Sequence, residues 1–118
     1  MKPKVYTYSK CSTCRKALAF LDALDAEYDA VDIVLHPPSK TELAKALRSS
    51  GLPIKKFFNT SGQSYREGDY GVRLATLSQD AALSALAADG KLIKRPLVIG
   101  DDYAIAGFDQ AAYEVRFG

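Results

Sequence analysis

Cysteine and histidine are scarce in this 118-residue chain, which contains only two cysteines and one histidine. A structural zinc site needs about four ligands, usually Cys or His. Cys11, Cys14 and His36 supply three, and His36 lies far along the chain from the cysteine pair. The sequence therefore predicts no metal site unless two chains share one.

Long apolar runs are also missing. A transmembrane helix needs about 18 consecutive apolar residues, and every hydrophobic stretch of this chain is far shorter. The first ten residues, MKPKVYTYSK, lack the apolar core of a secretory signal. We therefore expect a cytoplasmic protein without membrane contact. In a reducing cytoplasm, a cysteine pair is more often redox-active or metal-binding than a permanent disulfide.

An excess of charge of one sign is the third missing feature. The chain carries 16 Lys and Arg against 14 Asp and Glu, a formal net charge of +2. A nucleic-acid footprint needs a clearly basic face, so direct binding to nucleic acid is not predicted. The length fits one domain, 1–118, and 47% hydrophobic residues are ordinary for a globular protein.

Two strand-like segments flank an amphipathic helix near the start of the chain. Lys4–Ser9 is rich in Val, Tyr and Thr, which favour strands. From Thr13 to Leu24 the apolar residues have the spacing of an amphipathic helix: Ala17, Leu18, Leu21 and Leu24. Glu27–Leu35 alternates enough to be a second strand, parallel to the first in a β-α-β unit. Both cysteines therefore lie where a strand turns into a helix.

Helices dominate the middle of the chain. Ser39 and Glu42 form an S-x-x-E capping box at the start of a helix that Gly51 ends at its C-cap. The segment 54–71 is irregular and is predicted to contain a short helix and a turn. A helix over 78–88 follows, with Gly90 closing it.

The last third of the chain changes character. Its pattern predicts a strand, a tight turn at Gly100 and Asp101, and a second strand. Asp109 can cap a final helix. The resulting order, β-α-β-α, a helical insert and then β-β-α, predicts an α/β fold with a mixed sheet and flanking helices.

The two cysteines have the spacing Cys-x-x-Cys within YSKCSTCRKA. Cys11 would lie at the helix N-terminus, where free backbone N–H groups and the helix dipole favour an anion. Lys10, Arg15 and Lys16 surround the pair with positive charge, which also lowers a thiol pKa. We predict that Cys11 is a nucleophile and that Cys14 resolves the mixed disulfide. A buried, inert thiol pair is the alternative.

Pro96 stands at the entry to a strand in KRPLVI, next to Arg95. A cis Arg95–Pro96 bond would suit a loop facing the cysteines, although most X–Pro bonds are trans. Arg95 is predicted to hold an anionic substrate or to stabilise the thiolate; a solvated surface charge is the alternative.

Three segments together resemble a known family: YSKCSTCRKA, FFNTSGQSYRE and KRPLVIGDDYAIAGF. They are similar to the arsenate reductase (ArsC)/Spx/MgsR-like proteins, and the likeness extends from Val5 to Phe117. FFNTSG is typical of a small arsenate reductase-related subgroup. The resemblance implies a thioredoxin-like fold with a four-stranded sheet, a helical insert at about 37–92, and a cis proline after the arginine.

The resemblance also implies roles for particular residues. The family's nucleophilic cysteine corresponds to Cys11, and its arginine before the proline corresponds to Arg95. Two further oxyanion-binding arginines of arsenate reductases fall at Asn59 and Gly107, which carry no charge. Because Arg contacts to an oxyanion are charge-assisted, this difference disfavours efficient arsenate reduction. Lys55, Lys56 or Arg66 could compensate in space.

We therefore predict a thiol–disulfide oxidoreductase that needs no metal or organic cofactor. Electrons would come from glutathione or from a thioredoxin- or glutaredoxin-like partner, and the substrate would be a small oxyanion or a disulfide. The predicted substrate-binding residues are Lys10, Ser12, Thr13, Arg15, Asn59 and Pro96. Two alternatives are arsenate reduction and a redox-sensing regulator that binds RNA polymerase.

Overall fold

A computed structural model describes residues 2–118. Four strands form one sheet in the order β2-β1-β3-β4. The pair β1–β2 is parallel, whereas β1–β3 and β3–β4 are antiparallel. The strands are β1 Lys4–Thr7, β2 Asp29–Asp32, β3 Leu97–Ile99 and β4 Ala104–Ala106. The predicted mixed four-stranded sheet is therefore confirmed.

Helices flank this sheet, and four of the six described helices lie between β2 and β3. The helices are α1 Ser12–Ala23, α2 Lys40–Ser50, α3 Gln63–Glu67, α4 Tyr70–Arg73, α5 Gln79–Ala88 and α6 Gln110–Phe117. Two 3-10 turns, Ile54–Phe57 and Gly90–Leu92, precede α3 and follow α5. Within residues 2–118, no helix is both long enough and apolar enough to cross a membrane.

The sheet separates two groups of buried side chains, because successive strand residues point to opposite faces. Tyr6 and Leu97 belong to one group, which we call the insert cluster, together with α2, α5 and the Phe57–Phe58 segment. Val5 and Val98 belong to the other, the α1–α6 cluster. The buried members of the α1–α6 cluster are Val5, Ala17, Leu21, Val98, Ile105 and Tyr113.

Local helix signals in the sequence are confirmed at several ends. The Ser39 hydroxyl accepts from the Glu42 N–H at 3.1 Å, and the Glu42 carboxylate accepts from the Ser39 N–H at 3.4 Å. Gly51 ends α2 with a φ of 69°, a left-handed conformation that favours glycine. Asp109 caps α6 by accepting from the Ala112 N–H at 3.1 Å. These bonds satisfy backbone groups that helix ends otherwise leave unpaired.

The prediction for the second strand was too long. The Asp32 carboxylate accepts from the N–H groups of Val34 and Leu35 at 2.8 and 3.0 Å, and this turn ends β2. An aspartate side chain that binds the backbone two residues on competes with strand pairing.

The predicted role of Gly90 as a helix end was wrong. Asp89 is the C-cap of α5, and Gly90 begins the following 3-10 turn. A Cβ atom at position 90 would collide with the backbone carbonyl of Ile33. Glycine is needed there because two backbones approach closely, not because a helix ends.

Candidate functional site

Cys11 is the N-cap of α1, directly after the turn that follows β1. Its Sγ accepts a hydrogen bond from the Cys14 N–H at 3.2 Å, and its own N–H donates to the Tyr8 carbonyl at 3.0 Å. The first N–H groups of a helix have no partner within the helix, so a sulfur at this position can receive one. The expected place of Cys11 at a helix N-terminus is confirmed.

The surroundings of Cys11 favour its ionised form. Partial burial acts to raise the pKa of the thiol, but hydrogen bonds from the Cys14 thiol and N–H, with the charge of Arg95, lower it below its usual value. Cys11 remains partly exposed. It is therefore a thiol that can be both ionised and reached.

Cys14 has the opposite properties, one helical turn further on. Its side chain is 1% exposed. Burial raises the pKa of the Cys14 thiol, and donation to Cys11 together with the negative charge there raises this pKa further. Both cysteines are free thiols. Two thiols of one motif thus differ in exposure and in proton affinity.

Arg95 lies beside this pair, and the bond between Arg95 and Pro96 is cis, as expected. The guanidinium lies over the Tyr8 ring at 5.1 Å from its centroid, and one terminal nitrogen donates to the Lys91 carbonyl at 3.4 Å. Its Nε is buried without a partner among residues 2–118. Pro96 is buried, and its carbonyl accepts from the Gly107 N–H at 2.8 Å.

Arg95 also lines a polar cleft of about 400 Å³, which we call the Arg95 cleft. Neither cysteine lines the cleft. Two of its lining residues also interact with Cys11: the Tyr8 carbonyl accepts from the Cys11 N–H, and the Arg95 charge lowers the Cys11 pKa. Lys91 adds a second positive charge and Glu67 a negative one. The lining residues are Tyr8, Asn59, Gly62, Gln63, Ser64, Glu67, Lys91 and Arg95.

Not all the predicted site residues come together. Asn59 joins Arg95 in the cleft, but Lys10 is exposed on the turn before Cys11, and Ser12 and Thr13 are exposed at the start of α1. Arg15 is exposed as well, and its guanidinium donates to the Ser9 carbonyl at 3.0 Å.

The expected electrostatic role of the neighbouring cations was wrong. Lys10, Arg15 and Lys16 are exposed and are not among the groups that lower the Cys11 pKa. Charges in water are screened strongly, so closeness along the chain is a poor guide to influence. Arg95, distant in sequence, acts instead.

The candidates for replacing the missing arginines also lie elsewhere. None of Lys55, Lys56 and Arg66 lines the Arg95 cleft, and the Arg66 guanidinium donates to the Ser61 carbonyl at 2.8 Å. Lys91 is the cation that sequence reasoning missed. No sequence pattern marks it, because it lies in the 3-10 turn Gly90–Leu92 and Arg95 lies in the loop beyond that turn.

Residues 2–118 contain no group of three or more His, Cys, Asp and Glu side chains able to hold a metal ion. Gly107, the second position at which arsenate reductases have an arginine, lies in a bend with a φ of 82°. Its carbonyl accepts from the Tyr113 hydroxyl at 3.1 Å. The groups that the geometry brings together are the two thiols and the Arg95 guanidinium.

Comparison with known proteins places these features in a family. The model of the ArsC family matches residues 6–115. The chain is 45% identical over 109 residues to the uncharacterized protein YusI of Bacillus subtilis, covering 92% of each. The crystal structure of an ArsC-family-related protein from Bacteroides fragilis superposes with a TM-score of 0.94 at 40% identity, covering 98% of this chain and 97% of the other.

More distant relatives have two different functions by name. One is an arsenate reductase of Rhizobium meliloti, 27% identical over 84% of this chain and 69% of its own. Another is the global transcriptional regulator Spx of Listeria innocua, 24% identical over 90% of this chain and 79% of its own. The resemblance to arsenate reductases and Spx is confirmed, and the structure has the thioredoxin-like fold of such proteins. The chain belongs to the ArsC family.

Proposed function

We propose that the protein is a thiol–disulfide oxidoreductase, with Cys11 as the nucleophile and Cys14 as the resolving thiol. The observation that carries the proposal is the contrast between the two thiols. Cys11 is partly exposed, with a lowered pKa and an N–H donor on its Sγ. Cys14 is buried, with a raised pKa. Since the thiolate is the attacking species, only Cys11 is ready for the first step.

In the first step, the Cys11 thiolate attacks one sulfur of a disulfide RS–SR. A bond forms between Cys11 and that sulfur, the RS–SR bond breaks, and one RS⁻ leaves and takes up a proton. Arg95 and the first N–H groups of α1 favour the thiolate before the attack.

In the second step, Cys14 loses its proton and attacks Cys11, which forms the Cys11–Cys14 disulfide and releases the second RS⁻. Forming the mixed disulfide removes the negative charge on Cys11, and with it one cause of the raised Cys14 pKa. The substrate gains two electrons and two protons. Glutathione or a thioredoxin- or glutaredoxin-like dithiol then returns the electrons to the protein.

The predicted binding residues keep their roles in this proposal. The substituent R would occupy the Arg95 cleft and contact Asn59. The exposed turn with Lys10, Ser12, Thr13 and Arg15 would contact the larger, outer part of a substrate. Pro96 would border the attacked sulfur.

The test measures the reduction of hydroxyethyl disulfide together with thiolate absorbance at about 240 nm against pH. We expect Cys11→Ser to lose both the reduction and the titration at the lowered pKa. Cys14→Ser should keep the titration and stop after one turnover. Ser84→Ala, at an exposed position inside α5 and outside the Arg95 cleft, is the control and should retain most of the rate.

Two results would overturn this mechanism. One is a wild-type protein whose thiols both titrate near the ordinary pKa of about 8.5. The other is full steady-state turnover by Cys14→Ser. Absence of turnover, combined with binding to RNA polymerase in one redox state only, would support the regulator instead.

Arsenate reduction is the second candidate, since Arg95 and Lys91 line one cleft and can face an oxyanion together. Two thiols would give two electrons to As(V), yielding arsenite, water and a disulfide. We expect arsenate-dependent consumption of dithiol, with a KM that rises in Lys91→Gln. Lys45→Gln, an exposed change on α2 outside the cleft, is the matched control.

A further inference from the structure

Strand β4 forms one edge of the sheet, and its hydrogen-bond pattern leaves backbone groups free on the outer side. Gly100 donates to Tyr103 and Gly107 donates to Pro96, at 2.9 and 2.8 Å. Bonded pairs alternate in an antiparallel ladder, so Ile105 is the β4 residue that faces Val98 in such a pair.

The N–H and C=O groups of Ala104 and Ala106 therefore point away from β3. No hydrogen bond to either residue's backbone is present outside the sheet ladder within the described chain. Two donors and two acceptors thus lie unpaired along the outer edge of β4, at the spacing that an adjoining strand would need, although the Ala104 side chain itself is buried. An additional strand could pair with all four.

A groove runs along this edge between the end of α2 and α6. It consists of two adjoining cavities of about 460 and 240 Å³. The residues that line both cavities are Ser50, Ala104, Ile105 and Ala112. The small side chains of Ala104, Ala106 and Ala112 leave room beside the strand for an extended chain. Val115, which is 81% exposed, adds an apolar wall.

The opposite edge of the sheet is protected in the usual way. Strand β2 carries Asp29 and Asp32, and charged residues on an edge strand discourage pairing with another chain. Strand β4 has the sequence Ala-Ile-Ala, with neither charge nor proline. Only the β4 edge of this sheet is thus left suited to strand addition.

The groove is positively charged. Lys56 and Lys94 line its larger cavity and Arg116 its smaller one, and none of the three makes an ion pair among residues 2–118. Its acidic residue, Asp109, already accepts the N–H bond that caps α6. A second copy of this chain would bring like charges together at the edge, which disfavours self-pairing.

We propose that this groove binds an acidic, extended peptide segment of a partner protein by strand addition to β4. The backbone of the segment pairs with Ala104 and Ala106, and its acidic side chains face Lys56, Lys94 and Arg116. Main-chain pairing supplies the geometry and charge supplies the selectivity. The proposal does not depend on the thiol chemistry, because neither cysteine lines the groove.

The test titrates the full-length protein with the peptide acetyl-ETEVETE-amide at low salt and follows backbone amides by NMR. We expect the amides of Ala104 and Ala106 to shift and to become protected from hydrogen exchange. The same peptide with alternate N-methyl groups, which cannot complete the ladder, should bind at least tenfold more weakly. The reversed-charge peptide acetyl-KTKVKTK-amide should not bind.

Charge reversal in the protein provides the second arm. Lys94→Glu should weaken binding about fivefold, the range of one partly exposed ion pair, and Lys94→Glu with Arg116→Glu should weaken it further. Lys16→Glu, on exposed α1, is the control for net charge and should have little effect.

Three outcomes would overturn the proposal. These are equal binding of the N-methylated peptide, shifts confined to amides outside 103–107, and no shift at millimolar peptide. Concentration-dependent dimerisation that protects the same amides would assign the edge to a second copy of the chain.

Discussion

The two sides of the sheet differ in size and in what they contribute to the site. The insert cluster has fifteen buried members among the described residues, drawn from one face of the sheet and from the helices and loops between β2 and β3. The α1–α6 cluster has six, with Tyr113 as its largest. The thiols come from the small side, since Cys11 caps α1 and Cys14 lies in its first turn, whereas Asn59 and Lys91 flank buried residues of the large side.

The site therefore forms where the two packed layers meet. Cys14 is buried at the start of α1, and Arg95 reaches it from the loop that joins the insert to β3. One layer holds both thiols, including the Cys14 thiol and N–H that lower the Cys11 pKa, while the loop leading from the other layer adds the Arg95 charge and helps to shape the cleft. Damage to either layer should have a distinct effect on the thiol.

Tyr113→Ala should have the largest effect, a loss of about 3–5 kcal/mol in the free energy of unfolding. The Tyr113 ring is completely buried and contacts the rings of Phe20, Phe108 and Phe117 at centroid distances of 6.3, 5.4 and 6.1 Å. Chemical denaturation measures the loss. Phe57→Ala, in the insert cluster, should cost a similar amount.

These two variants separate the layers when their thiols are titrated. We expect Tyr113→Ala to shift the pKa measured for Cys11, because α1 packs on Tyr113. Phe57→Ala should shift this pKa less. Equal disturbance would show that the layers do not act separately. If Tyr113→Ala does not fold, Tyr113→Leu keeps the helix contact and permits the same comparison.

Gly90→Ala should have the next largest effect, about 1–3 kcal/mol, since a methyl group there collides with the Ile33 backbone carbonyl. Gly51→Ala is the comparison: nothing lies within 4 Å of its Cβ, and only the left-handed φ of 69° opposes alanine. Its cost should be about 1 kcal/mol. Thermal unfolding of both variants checks the order, which a larger cost at Gly51 would contradict.

Ser39→Ala should cost about 1 kcal/mol, because it removes the hydroxyl that accepts from the Glu42 N–H. Ser84→Ala, at an exposed position inside α5, is the control and should be neutral or slightly stabilising. Urea denaturation measures both. A neutral Ser39→Ala would mean that packing of α2 alone fixes the start of this helix.

Arg95→Met should have the smallest effect on stability and a clear effect on pH dependence. The Arg95 charge lowers the Cys11 pKa, so its removal should raise that pKa. The thiolate fraction then falls at pH values below the new midpoint and is unchanged well above it. Rates of alkylation by iodoacetamide against pH measure this shift. Arg15 is exposed in the first turns of α1, so Arg15→Met is the control and should leave the pH midpoint of Cys11 alkylation unchanged.

Much of the fold could be predicted because its signals are local. The Ser39–Glu42 capping box, the Gly51 helix end and the Asp109 cap each depend on residues within one turn. The end of β2 was missed because the Asp32 carboxylate accepts hydrogen bonds from two backbone N–H groups, which in a longer strand would be free to pair with a neighbouring strand. The role of Gly90 was missed because the atom it avoids, on Ile33, is far away in sequence.

The sequence by itself determined which residues could do the chemistry: two thiols at a helix start, and an arginine before a proline at the entry to a strand. The start of a helix depends on interactions within one turn of chain, so the position of Cys11 at the N-terminus of α1 could be predicted as well. The tertiary structure decided which charges act on that thiol. Lys10, Arg15 and Lys16 are close in sequence but are exposed to water, where screening weakens their effect on the Cys11 pKa. Packing of the two layers on the sheet brings Arg95 beside Cys11 and places it with Lys91 in one cleft. The sequence does not show this, because the effect of a charge on a pKa depends on distance and burial in space.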